Sequence, residues 1–240
     1  MDFTYDRYSY LVGLLRRHGY QFAGYDDEER FARVVIMRHD VDFCLHKALA
    51  MAELEFELGV KATYFVLVST DFYNVFSATS YAVLKRIIEL GHEVGLHFDE
   101  QRYPGASIDE VQEAIGREAG ILTAAQGCTV RSVSMHRPSR EMLQSNMQIP
   151  GLVNSYSKRF FSDYKYVSDS RMHWREDVCS TVSRQEFDRL HILTHPFWYA
   201  EAKETTKQKL LHFIEAAGSA RKDAMANNFT ALDEILARVE

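Results

Sequence analysis

The chain predicts an α/β fold of parallel strands wrapped by helices, and two observations predict it. From residue 34 to residue 195, short apolar runs alternate with segments of helical periodicity. Residues capable of chemistry stand at the C-terminal ends of the predicted strands: Asp40 and Asp42, Ser69 and Thr70, His97 and Asp99, His136 and Arg137, Asp169, and His195. Parallel sheets place ligands beyond that edge in a closed barrel and in an open doubly wound sheet alike, so the pattern argues for a site more firmly than for either architecture.

The elements follow in order. Tyr8, Leu11, Leu14 and Leu15 recur at helical spacing before Gly19, so an amphipathic helix opens an N-terminal helical extension of about residues 1–30 and packs as a lid on the core. Strands are expected at 34–42, 61–68, 92–98, 130–137, 166–168 and 190–195, with helices at 45–58, 81–90, about 108–125 and from about 202. With 240 residues and 46% hydrophobic content, one full core is affordable in length, and a single domain over 1–240 is expected.

Composition excludes several function classes. Twenty-eight Lys and Arg against 34 Asp and Glu give a net charge of −6, and no basic stripe is present to track a phosphate backbone, which argues against nucleic acid. The first residues are too polar for a signal peptide and no run is long and apolar enough for a membrane span, so a cytoplasmic protein is expected. Cys44, Cys128 and Cys179 are odd in number, far apart and fit no zinc-ribbon or redox spacing.

The stretch Met37-Arg38-His39-Asp40-Val41-Asp42 carries the most chemistry. Residues two apart on a strand share a face, so Asp40 and Asp42 enter one pocket, where one can hold a metal while the other accepts protons. Three segments in order, Asp40-x-Asp42, Gly59-Val60-Lys61-Ala62-Thr63-Tyr64-Phe65-Val66 and Gly91-His92-Glu93-Val94-Gly95-Leu96-His97, resemble the polysaccharide deacetylase superfamily. Met135-His136-Arg137-Pro138 and Leu193-Thr194-His195-Pro196 extend the likeness.

The resemblance implies a distorted, incomplete (β/α) barrel that holds one divalent metal, most often zinc, and removes an N-acetyl or related acyl group from a sugar. It implies Asp40 as general base, Asp42 and His97 as metal ligands, and His195 as the acid that protonates the leaving amine. The family pattern has a second histidine four residues after His97, where this chain has Gln101. A catalytic zinc normally takes three protein ligands. From position alone His136 is the first candidate for the third and Asp99 the second.

Asp169 and Trp174, in a polar and aromatic loop, resemble an Asp and a Trp that in the family support the base-side arginine and line the pocket; the alternative is a turn with a packed Trp. Arg137 is the expected guanidinium partner for a carboxylate there. Trp198 and Tyr199, beside Phe197, are candidates for an aromatic wall that binds a sugar ring, and equally for a seal at the barrel's end. His92 and His39 face away from the Asp40 side and read as structural, His191 as core, and His18, His46 and His212 as helix surface.

The expected substrate is an acylated amino sugar, a surface-polysaccharide precursor rather than a finished polymer. Two rivals stand beside it: an amidase of the same fold acting on a non-sugar amide, and a non-catalytic sugar-binding module, for which Gln101 is the main support.

Overall fold

Among the described residues eight strands, all paired in parallel, form the sheet: β1 (Gln21–Ala23), β2 (Val34–Val41), β3 (Thr63–Leu67), β4 (Glu93–Asp99), β5 (Ser132–His136), β6 (Val153–Asn154), β7 (Lys165–Ser168) and β8 (Arg189–Thr194). The computed structural model describes residues 1–237, and its contacts divide the chain into two compact units, Met1–Glu201 and a second from Ala202 onward. The sheet belongs to the first and has the order β6-β5-β4-β3-β2-β8-β7. Strand β8 runs along one edge of β2, while β1 covers the first half of the other edge and β3 the second half.

The sheet is curled and left open. In a flat sheet β2 and β5, three strand spacings apart, would lie about 14 Å from each other. Yet Ser134 Oγ on β5 is 3.3 Å from Asp40 Oδ1 on β2, which only strong curvature allows. Strands β6 and β7 end the order without pairing to each other, so the barrel is incomplete, as the resemblance implies.

Alternation along β2 separates two environments. Val34 and Ile36 point inward and pack with Ala23, Tyr25, Phe65 and Phe160. Val35, Met37 and Val41 point outward into the larger core under the helices. Phe65 fills so much of the interior that a Cβ at Gly95 on the next strand would lie 2.6 Å from its ring, and only glycine fits there.

The helices cover the outer face. Helix α1 (Tyr5–Arg17), capped by Thr4, buries Tyr8, Leu11, Val12, Leu14 and Leu15, each such leucine worth about 1.5–3 kcal/mol of transfer free energy. Helices α2 (Leu45–Glu57), α3 (Ala78–Glu89) and α4 (Ile108–Gln126) follow β2, β3 and β4 in turn. Three short helices, α5 (Arg140–Ser145), α6 (Lys158–Ser162) and α7 (Val178–Arg184), lie between the later strands. The second unit holds α8 (Thr206–Ala226), opened by a Thr205/Gln208 capping box, and α9 (Leu232–Ala237), with a 2.6 Å pair from Lys222 to Asp233. No helix among the described residues is long and apolar enough to cross a membrane.

Residues 1–30 are not wholly helical, because β1 joins the sheet from within them. A three-residue strand is too short to show periodicity. Between the sheet and α1 and α2, Glu55 is buried and accepts hydrogen bonds from Tyr8, from Tyr64 at 2.6 Å and from His39 Nε2 at 2.9 Å. His39 Nδ1 meets Thr194 Oγ1 at 2.6 Å, and His92 Nε2 donates to Ala52 O at 3.0 Å. These two histidines thus serve the outer packing.

Candidate metal centre and acid-base pair

The inward face of four strands delivers the polar residues to one end of the barrel. Asp40 lies near the end of β2 and Asp42 just beyond it, His97 is on β4, His136 closes β5, and His195 follows β8 directly. Ligand atoms of Asp42, His97 and His136 all lie within 4.8 Å of one another. Asp42 Oδ1 is 3.2 Å from His97 Nε2 and 3.4 Å from His136 Nδ1, and those two nitrogens are 3.2 Å apart.

Two imidazoles and a carboxylate are a donor set that zinc accepts. Asp42 Oδ1 is buried yet takes part in no hydrogen bond of good geometry, the condition of an oxygen shaped to face a cation. Burial would raise the Asp42 carboxyl, but the imidazoles of His136 and then His97 close beside it hold it far below the usual carboxylate range. Asp42, His97 and His136 could therefore hold a divalent metal.

Asp40 sits beside this cluster, Oδ2 being 3.7 Å from His97 Nε2. Arg38 grips it from the same strand face, Nε to Oδ1 at 2.9 Å and Nη2 to Oδ2 at 2.8 Å. The guanidinium is fully buried, with its carbon 4.6 Å from the Tyr156 ring centre. Burial would raise the Asp40 carboxyl, but Arg38 and then His97 keep it low, so it is ionised and able to accept a proton.

His195 stands on the other side, its Nε2 3.9 Å from Asp42 Oδ2. Asp169 holds it at two points: Oδ1 meets His195 Nδ1 at 2.6 Å, and Oδ2 accepts the His195 backbone N–H at 3.2 Å. Burial would lower the His195 pKa, but the Asp169 carboxylate pushes it up to about 9. The ring is thus a protonated donor whose Nε2 faces the cluster.

No family model matches the chain, and no curated protein does. Among solved structures the chain is similar to a family 4 carbohydrate esterase from Bacillus anthracis, at 15% identity over 87% of this chain and 85% of that one, with a TM-score of 0.47. It is similar to the peptidoglycan deacetylase PdaC from Bacillus subtilis, at 16% identity over 82% of this chain and 95% of that one, with a TM-score of 0.44. It is also similar to a CE4 family pseudoenzyme from Bacillus anthracis, at 18% identity and a TM-score of 0.44, covering 84% of this chain and 65% of the pseudoenzyme's.

The remaining expected site residues have other partners or surroundings than expected. Arg137, in a left-handed backbone conformation with φ of 51°, pairs with Asp99 and not with Asp40 or Asp169. Asp99 pairs in register with His136 on the neighbouring strand but stands outside the Asp42–His97–His136 group, occupied by Arg137 and by the Gln101 backbone N–H at 3.2 Å, while Gln101 itself is exposed. Trp174 and Tyr199 form no open wall: Trp174 is 8% exposed, and Tyr199 is fully buried with its ring 5.7 Å from Phe3 and 5.6 Å from Tyr8.

A cleft of about 910 Å³ opens beside Asp42 and His136, with Phe43 and Phe72 in its lining. Trp198 is half-buried and reaches this region through Phe43, ring centres 6.5 Å apart. Sequence reasoning missed Phe43, Phe72, Arg38 and Ser134. Arg38 carried a signal that could have found it, since it lies two residues before Asp40 and so shares its face.

Proposed function

We propose that this chain is a metal-dependent hydrolase that removes an N-acetyl or similar short acyl group from an amino sugar. One observation carries the reading: a carboxylate fixed by Arg38 and an imidazole fixed by Asp169 flank the Asp42–His97–His136 cluster, of which Asp42 and His136 line a cleft. Bound by those three residues, a divalent ion, zinc by preference, supplies Lewis-acid polarisation of the acyl carbonyl and lowers the pKa of water.

The chain's own residues supply the proton transfers. Asp40 removes a proton from the attacking water through its carboxylate, which Arg38 keeps ionised and correctly turned. His195 Nε2–H donates to the amine nitrogen as the C–N bond breaks, while Asp169 stabilises the imidazolium before that transfer. The products are a free amino sugar and a short carboxylic acid, and water is the only co-reactant.

Phe43 and Phe72 give the apolar CH face of a sugar ring a surface to rest on, and the polar cleft wall meets its hydroxyls. The substrate is an acylated sugar precursor. The test is release of acetate or another short acid from a panel of N-acylated sugars, nucleotide-linked and lipid-linked, by the zinc-loaded protein. Asp40→Asn and His195→Ala should each lower turnover by about 10²- to 10⁴-fold with the metal still bound. Acid release from non-sugar amides alone would transfer the reading to an amidase.

A further inference from the structure

Ser134 belongs to none of the roles above, yet it stands at the centre of them. It is fully buried on β5, between Arg38, Asp40 and His97. Arg38 Nη2 donates to its Oγ, Asp40 Oδ1 lies 3.3 Å from it, and His97 Nδ1 lies 3.1 Å from it. A serine hydroxyl has one proton to give and two lone pairs to accept with. Three partners therefore use its whole capacity, and their protonation decides the direction of each bond.

Arg38 can only donate, and Asp40 as a carboxylate can only accept. His97 turns Nε2 towards Asp42 and His136, so a ligand role leaves its proton on Nδ1. One assignment then satisfies every group: His97 Nδ1–H donates to Ser134 Oγ, and Ser134 O–H donates to Asp40 Oδ1. The opposite arrangement, Ser134 O–H to His97 Nδ1, puts the proton on Nε2, where it blocks ligation.

We propose that Ser134 is a positioning residue that fixes His97 in the metal-binding tautomer and, through the same hydroxyl, turns Asp40. This rests on the metal-centre reading above. The hydroxyl and Arg38 Nε both occupy Asp40 Oδ1, while Oδ2 accepts only from Arg38 Nη2 and, 3.7 Å from His97 Nε2, is the oxygen that faces the cluster. The bound ligand and the base are in this way set by one side chain that touches neither metal nor substrate.

The experiment is a Co(II) titration of the unaltered chain and of Ser134→Ala, followed by visible absorption in competition with a chelator. Ser134→Ala should bind Co(II) about 10- to 100-fold more weakly, the loss seen when a histidine ligand loses its outer partner. Affinities equal within about threefold would overturn the role of Ser134 alone, whereas no Co(II) binding by the unaltered chain would remove the metal centre and this inference together. Nitrogen-15 spectra of the zinc-loaded unaltered chain give an answer that does not depend on the variant's folding: His97 should have Nδ1 protonated, and an unprotonated Nδ1 would overturn the proposal.

Discussion

Arg38 holds both oxygens of Asp40 from two residues earlier on the same strand, at 2.9 and 2.8 Å, inside the barrel and out of contact with solvent. The alternation of β2 makes this possible, because residues 38, 40 and 42 all face inward while His39 turns to Glu55 on the outside. Removing the cation leaves a buried, uncompensated carboxylate. Arg38→Gln should therefore destabilise the chain by about 3–5 kcal/mol in urea denaturation. Arg38→Lys keeps the charge but loses the planar fork, and should lower acid release by about 10- to 100-fold, less than the roughly 10²- to 10⁴-fold that a positioned base supplies, because the base is misaligned and not removed. Unchanged activity in Arg38→Lys would mean that the fork does not orient the base.

The proposed metal set divides His136 from Asp99. His136 shares the cluster with Asp42 and His97, whereas Asp99 is taken up by Arg137 and the Gln101 backbone. Asp42→Asn, His97→Ala and His136→Ala should each weaken zinc binding by more than about 100-fold, since outer partners alone are worth 10- to 100-fold. Asp99→Asn should leave affinity within about threefold by the same scale. Isothermal titration of the four variants ranks them, and a greater loss in Asp99→Asn than in His136→Ala would move the third ligand to Asp99.

Much of this was legible in the sequence, and the gaps have physical causes. Long elements with clear periodicity, such as α1, α2 and α4, and the strands ending in Asp40, His97, His136 and His195 are local features that one window of sequence carries. Strands β1 and β6 are three and two residues long, below the length at which alternation can be read. The partners of the site were harder, because they depend on curvature. Arg137 lies next to His136 in sequence, but its left-handed backbone turns it to Asp99, and Arg38 takes the carboxylate instead. Tyr199 is a plausible sugar platform by residue type, and only the packing of Phe3 and Tyr8 over it reveals a core side chain.

His191 sets a limit on acid stability. It is buried in the barrel interior, with Nδ1 3.1 Å from Phe160 O and Nε2 2.8 Å from the Tyr25 hydroxyl. The carbonyl can only accept, so Nδ1 carries the proton and Tyr25 donates to Nε2, which makes the ring neutral. Burial first, and the nearby Arg38 cation second, depress its pKa from 6.5 to about 3. Above pH 6.5 neither state is charged at this residue and its contribution to stability is complete; as pH falls the unfolded chain takes a proton that the folded one refuses, and stability is lost until about pH 3. His191→Gln, which keeps a donor and an acceptor, should make the stability curve shallower between pH 6.5 and 4, by an amount on the order of a few kcal/mol. Parallel curves for the two proteins would show that His191 does not resist protonation.

Phe72 offers the most direct test of how the cleft meets its substrate. It is 51% exposed, lines the cleft that opens at Asp42 and His136, and stands edge-on to Phe43 with ring centres 4.9 Å apart. A ring that contacts only the non-reacting face of a sugar binds ground state and transition state alike, so its loss should appear in KM and not in kcat. Phe72→Ala should raise KM by about 3- to 30-fold, the worth of one aromatic contact of 0.5–1.5 kcal/mol with some loss of buried area, and leave kcat nearly unchanged. Its exposure means the fold should survive the change, which melting can check. Trp174→Ala is the contrasting control, since that ring is buried in the core and its removal should cost about 3–5 kcal/mol of stability instead. A fall in kcat with KM unchanged in Phe72→Ala would place the ring against the reacting acyl group and reverse the orientation of the sugar in the cleft.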